Sequence, residues 1–260
     1  MKLRVALGDW LVQEIRGLLG SSNFILAVAA ALYVVLVTGW GLSNPQGQVG
    51  EIIRQWEQLG DPDRAVMWMW FGNSLLKMAT FMVPPLLAAG AISREYDRGD
   101  LLLYLSKPVT RGQFLQVKVV ASAAAFTAVF ALATVVGYVR LLPYWEISVT
   151  QYLLGSWLVL QAGYLSIALC LLMSVLWRSS LGAGLSSAAL LLFVATPATN
   201  WFVQPELRSA ARLSPFAGAT LILEAGRLGA AQVVGATLTF LLGSVLLVMV
   251  AWAVMLRQEV

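Results

Sequence analysis

The sequence predicts an all-α polytopic membrane protein: six transmembrane helices preceded by an N-terminal helix lying in the interface. Three observations predict it. Of 260 residues, 59% are apolar and only 12% charged, where a soluble domain carries about 25% charged residues; the mean hydropathy is +0.79. The few charges are also segregated. None lies between Lys118 and Arg140, Glu146 and Arg178, Arg178 and Glu206, or Arg227 and Arg257, and each gap accommodates the roughly 20 residues that cross about 30 Å of hydrocarbon as a helix. Finally, the apolar runs are continuous. A lipid-spanning barrel would instead alternate over segments of about ten residues.

The elements follow in order within a single transmembrane domain, 1–260. In 1–20, Leu3, Leu7, Trp10, Leu11, Ile15 and Leu18 recur at helical spacing among Lys2, Arg4, Asp9, Gln13 and Arg16. That pattern suits a helix in the membrane interface, apolar face down; a partly soluble start to the first span is the alternative. The spans are predicted at 23–42, 67–92, 114–140, 152–177, 181–203 and 234–256. Pro84-Pro85 should kink the second and Pro197 the fifth. Ile52, Ile53, Trp56 and Leu59 predict a short helix on the outer surface, and Phe216 to Arg227 a second one after Pro215. Both suit lipid anchoring or a docking surface for an outer partner.

The segment 93–113, between spans two and three, is the most informative of the connections, and its charges are mixed rather than merely basic. Gly99 and Asp100 make a turn and an N-cap for a short helix, Leu101 to Ser106, which Pro108 prevents from continuing. Thr110 and Gln113 have capping-box spacing, so Thr110 should start the third span. The short helix is unusually apolar, so it either packs beneath its own bundle or docks in another protein's groove.

Lys and Arg counts set the orientation. With the N-terminus inside, the inner side holds Lys2, Arg4, Arg16, Arg94, Arg98, Lys107, Arg111, Lys118, Arg178 and Arg257. The outer side holds Arg54, Arg64, Arg140, Arg208, Arg212 and Arg227. Both termini are therefore expected in the cytoplasm. The basic residues do not cluster as a nucleic-acid surface requires. The absence of histidine excludes His-dependent triads and His-ligated zinc, and Cys170, the single cysteine, cannot form an internal disulfide.

The run from Ser93 to Lys118 carries Arg-Glu-Tyr-Asp-Arg-Gly, a leucine-rich turn, and then Ser-Lys-Pro-Val-Thr-Arg. It resembles the permease subunits of ABC-2-type ABC transporters (type V exporter-like), most of all the branch grouped with multicopper-enzyme maturation permeases. Asp100 stands where that family usually has Thr, and Tyr96 lies within the acidic run. The resemblance implies that this segment is a coupling helix seated in a separate ATPase subunit. Glu95 and Asp97 would anchor its entrance and Leu102, Tyr104 and Leu105 would make apolar contacts, with Gly99, Pro108 and Arg111 belonging to the same docking site. It further implies two cytoplasmic ABC ATPase subunits, a second permease copy forming a homodimer near helices one and five, and a prokaryotic inner-membrane location. ATP and magnesium would sit on the ATPase, with no cofactor in this chain. Gly182, Gly184, Ser186 and Ser187 would permit close packing at the dimer face.

Within the spans, Asn73, Lys77 and Gln161 are candidate pathway residues. An intramembrane lysine costs about 2.5–3.5 kcal/mol on insertion scales and usually faces a bundle interior or water. Lys77 either serves such a pathway or snorkels outward to a carboxylate such as Glu146 or Glu224. Met67, Met69, Met78 and Met82 share a helix, but Met is an ordinary filler of apolar space, so no metal site is assigned. Gly72 to Lys77 lacks the Gly-Lys-Ser/Thr ending of a phosphate loop, so no ATPase site is expected in this chain, and the spans contain no paired aspartates for intramembrane catalysis. The expected function is an ATP-driven exporter's permease subunit, itself not an enzyme; a secondary transporter or channel is the alternative, but repeated halves are absent.

Overall fold

The computed structural model describes residues 2–58, 66, 68–98, 110–143, 148–177, 179–200, 216 and 230–257, and the structural statements below refer to these. They are helical throughout, with no strand. The elements are α1 (Lys2–Leu19), α2 (Ser22–Ser43), α3 (Gly47–Gln58), α4 (68–89), α5 (Ser93–Arg98), α6 (Arg111–Leu141), α7 (Val149–Leu176), α8 (Ser180–Asn200) and α9 (Ala230–Arg257). Four of them, α2, α6, α7 and α9, are long and apolar enough to cross a membrane, and α8 contributes a shorter apolar stretch, Ser180–Val194.

Local chemistry sets the boundaries. Ser21 separates the first two helices: its hydroxyl donates to the Leu18 carbonyl at 2.6 Å and accepts from the Phe24 N–H at 3.2 Å. One side chain therefore satisfies the last turn of α1 and the first of α2. Thr110 and Gln113 form the capping box that their spacing predicts, Gln113 N–H to Thr110 Oγ1 at 3.2 Å and Thr110 N–H to Gln113 Oε1 at 3.0 Å. This box lets α6 begin at Arg111, ahead of the apolar run itself. Gly47, at φ +58°, opens α3 from a left-handed conformation, so the helix starts ahead of the predicted Ile52.

The region expected to be a kinked second span differs in kind. Residues 68–89 form one helix built largely of π-helical turns, Trp68–Leu75, Met78–Met82 and Pro85–Ala89. The Val83 N–H reaches the Met78 carbonyl, five residues back, and Pro84 keeps right-handed helical dihedrals. Proline has no N–H to donate and its ring crowds the preceding turn; here the wider winding accommodates the pair within a continuous helix.

α7 is the central element. It packs against α4, α6, α8 and α9, while α2 lies on α4 and α6, and α1 on α6. Named contacts fix the directions. Asn23, at the start of α2, donates to the Leu86 carbonyl near the end of α4, and Thr38 shares a hydrogen bond with Ser74, so these helices run antiparallel. Trp157 Nε1 donates to Thr237 Oγ1 and Leu165 meets Gly243, so α7 and α9 run parallel. The long helices thus alternate up and down, and one end of the bundle collects the starts of α2, α6 and α8 and the ends of α4, α7 and α9. The predicted helices 101–106 and 216–227 lie outside the described residues, apart from buried Phe216.

Candidate functional site: a charged junction at one end of the bundle

The turn from α4 into α5 is pinned from outside its own chain segment. Ser174, near the end of α7, accepts hydrogen bonds from both the Ile92 N–H at 2.9 Å and the Ser93 N–H at 3.0 Å. Ser93 and Ser174 are fully buried. N–H groups at a helix start have no partner in their own helix, so a serine from a neighbouring helix does the work of a cap and locks α5 to α7.

The next residues reach further. Glu95 accepts from Lys118 Nζ at 2.9 Å, and Lys118 also donates to Glu14 on α1 at 2.7 Å. The Lys118 side chain is only 4% exposed, against 17% for Glu95 and 20% for Glu14. Its ammonium also lies 5.4 Å from the Phe114 ring centre, within cation–π range, and Phe114 packs on Trp10 of α1. Asp97 accepts from the Ser180 N–H at 3.0 Å, placing a carboxylate at the positive end of α8. Arg111 Nη1 donates to the Met255 carbonyl at 2.8 Å and the Leu256 carbonyl at 3.3 Å, answering the unsatisfied acceptors at the end of α9.

Of the residues expected to dock a partner, the structure therefore places Glu95, Asp97 and Arg111 at one end of the bundle, each bonded to a different helix. Gly99, Leu102, Tyr104, Leu105 and Pro108 lie outside the described residues. Of the candidate pathway residues, Lys77 is half-buried between two π-helical stretches and Gln161 is buried in α7; the Asn73 side chain, Glu146 and Glu224 lie outside the described residues. Cys170 is buried and free, and among the described residues no group of His, Cys, Asp or Glu is gathered as a metal site would need.

Sequence reasoning did not find the Glu14–Lys118–Glu95 triad, whose members span more than a hundred residues. A signal existed. Glu14 is one turn after Trp10 and one before Leu18 on the apolar side of α1, and Lys118 stands within a span's first turns, where a charge needs a partner.

The family model described as ABC-2 family transporter protein matches residues 51–256. The chain belongs to the ABC-2 transporter family. No curated protein matches it. The ABC-2 match and the long apolar helices make this chain a multi-pass membrane protein and a permease of an ABC transporter, a family that works in association with ATPase subunits. In this ABC-2 permease the described residues at the two ends of that connection are bonded to α6, α7, α8 and α9, and Lys118 of α6 carries the link on to α1.

Proposed function

We propose that this chain is the membrane subunit of an ATP-driven exporter, with 93–113 as the coupling segment for a separate cytoplasmic ATPase. One observation supports this most strongly: residues at both ends of that segment are bonded to α7, α8 and α9 and, through Lys118, to α1. A push delivered there would reach α1 through Lys118 and Glu14, α7 through Ser174, α8 through Asp97 and α9 through Arg111. A loosely tethered loop would dissipate it. In this reading the bundle has six spans, with 68–89 and α8 completing the four long ones, both termini cytoplasmic and α1 in the inner interface. Two ATPase subunits hold ATP and magnesium, catalysis belongs to them, and two permease copies pair along α2 and α8. The membrane is a prokaryotic inner membrane, and a partner on the outer side fits the amphipathic α3.

The test is copurification of the ATPase and its vanadate-sensitive activity. Reversing Glu95 and Asp97 together should reduce both. Because those carboxylates also hold Lys118 of α6 and the start of α8, the deciding variant changes Leu102, Tyr104 and Leu105 to alanine. It should release the ATPase while membrane insertion stays normal. Undiminished copurification, or transport driven by an ion gradient without any ATPase, would overturn the reading in favour of a secondary transporter.

A further inference from the structure

Behind the triad lies a cleft of about 510 Å³, bounded by α1, the start of α2, the end of α4, α5 and the first turns of α6. That volume is in the range of small-ligand sites, about 300–1,000 Å³. Its chemistry is dipolar. Glu14 and Glu95 share one lysine, so the group carries one net negative charge. Arg94 is exposed, makes no ion pair among the described residues, and folds back over Gly90, where its Nε stands 2.7 Å from the place a β-carbon would take. Glycine at 90 is what leaves the guanidinium room on the cleft wall.

The wall also holds a polar group without a partner. Ser122 is fully buried, lines the cleft, and its hydroxyl makes no hydrogen bond among the described residues. Such groups are rare because each costs about 1–3 kcal/mol, and a ligand or water commonly supplies the missing partner. Alongside these polar groups run Leu18, Leu86 and Leu87, and on the neighbouring α2 the exposed Ile25 and Leu26. An apolar flank beside a dipolar pocket, next to an amphipathic helix, matches a molecule with a zwitterionic head and hydrocarbon chains.

We propose that this cleft binds the headgroup of a zwitterionic aminophospholipid, its ammonium on Glu14 and Glu95, its phosphate on Arg94, and its polar oxygens within reach of Ser122. The lipid is a fixed constituent, wedged between α1 and the α4 end. Bound there, it stiffens the contact between α1 and the junction. The site is separate from the ATPase reading, since lipid retention needs no nucleotide.

The experiment uses the full-length chain extracted from membranes with the subunits that accompany it. It is placed in nanodiscs of equal phosphatidylethanolamine and phosphatidylglycerol, washed stepwise in detergent, and weighed by native mass spectrometry. Phosphatidylethanolamine should be retained about tenfold over phosphatidylglycerol. Arg94→Ala, at an exposed position, should lower the retention of both lipids, since both carry a phosphate, with the melting temperature of the lipid-free protein unchanged. Ser122→Ala should weaken retention while raising lipid-free stability, because it removes the unpartnered hydroxyl. Equal retention of the two lipids by the unaltered protein, or retention untouched by both substitutions, would overturn the proposal. Displacement of the lipid by millimolar free phosphoethanolamine would also overturn it, reassigning the cleft to a soluble phosphoamine.

Discussion

The two ends of α6 are held by opposite chemistry. At its start are a capping box, the Lys118 triad and Arg111 on the last carbonyls of α9. About 30 Å along the helix, its other end is an aromatic collar. Tyr152 donates to the Thr134 carbonyl at 2.8 Å, packs at a tilt against Tyr138 at 4.9 Å and Phe71 at 5.3 Å between ring centres, and Trp70 fills the space left by Gly137. Directional polar bonds can exchange one partner for another with little change of volume. Interlocked rings over glycine cannot, because close-packed interiors do not deform continuously. The charged end is thus the end able to change state, and the aromatic end the one that resists it.

The largest break comes from the charged end. Lys118→Met leaves two partly buried carboxylates facing each other, and losing one partner of a buried pair typically costs about 3–5 kcal/mol. The expected result is a steep drop in the detergent melting temperature and in the yield of monodisperse protein. Neutralising the whole group, Lys118→Met with Glu14→Gln and Glu95→Gln, should recover most of that loss. Failure to recover would mean that lysine packing, rather than its charge, holds this end.

The aromatic end breaks differently. In Gly137→Ala the new methyl would overlap the Trp70 ring and crowd the Tyr152 hydroxyl, and Trp70 is fully buried. Overpacking of this kind costs about 1–3 kcal/mol. Unlike the loss at Lys118, it should be relieved by Trp70→Phe, which vacates the space, and be insensitive to salt. Melting temperatures of the single and double variants, at low and high ionic strength, separate the two kinds of end.

How much of this the sequence discloses depends on the range of the interaction. The Thr110–Gln113 box was legible because both partners lie within one turn, and the helix positions were legible because charge gaps mark them directly. The π winding of 68–89 was not, since an apolar run reads alike whether its bonds span four residues or five. Nor was the triad, which joins Glu14, Glu95 and Lys118 across three elements. Burial within the bundle was equally hidden. α7 and α9 have similar hydropathies, 2.0 and 2.4, yet 83% of the most apolar stretch of α7 is buried against 11% for α9. Lipid and protein interior are equally apolar, so only the small and polar residues tell them apart: α7 buries Gly155, Ser156, Gln161, Gly163, Ser166 and Ser174. The legible cap gives a smaller, local test of the charged end. Thr110→Ala should cost about 1 kcal/mol, and Thr110→Ser should restore it, read as melting temperature.

The smallest effect tests whether lipid or a second copy lies beyond the bundle. At Gly184 on α8 and Gly235 on α9 an added β-carbon would meet nothing within 4 Å. Alanine is favoured over glycine inside a helix by about 0.8–1.0 kcal/mol, so in a chain surrounded only by lipid both Gly184→Ala and Gly235→Ala should raise the melting temperature slightly. The proposed pairing along α2 and α8 separates them. A second copy seated on Gly184 would need its backbone close, and a methyl there would hold the two helices apart, so Gly184→Ala should lower the dimer fraction measured by crosslinking in membranes while Gly235→Ala leaves it unchanged. Equal small stabilisation at both positions, with the dimer fraction constant, would remove α8 from the interface and leave its exposed Leu181, Leu185 and Phe193 facing lipid.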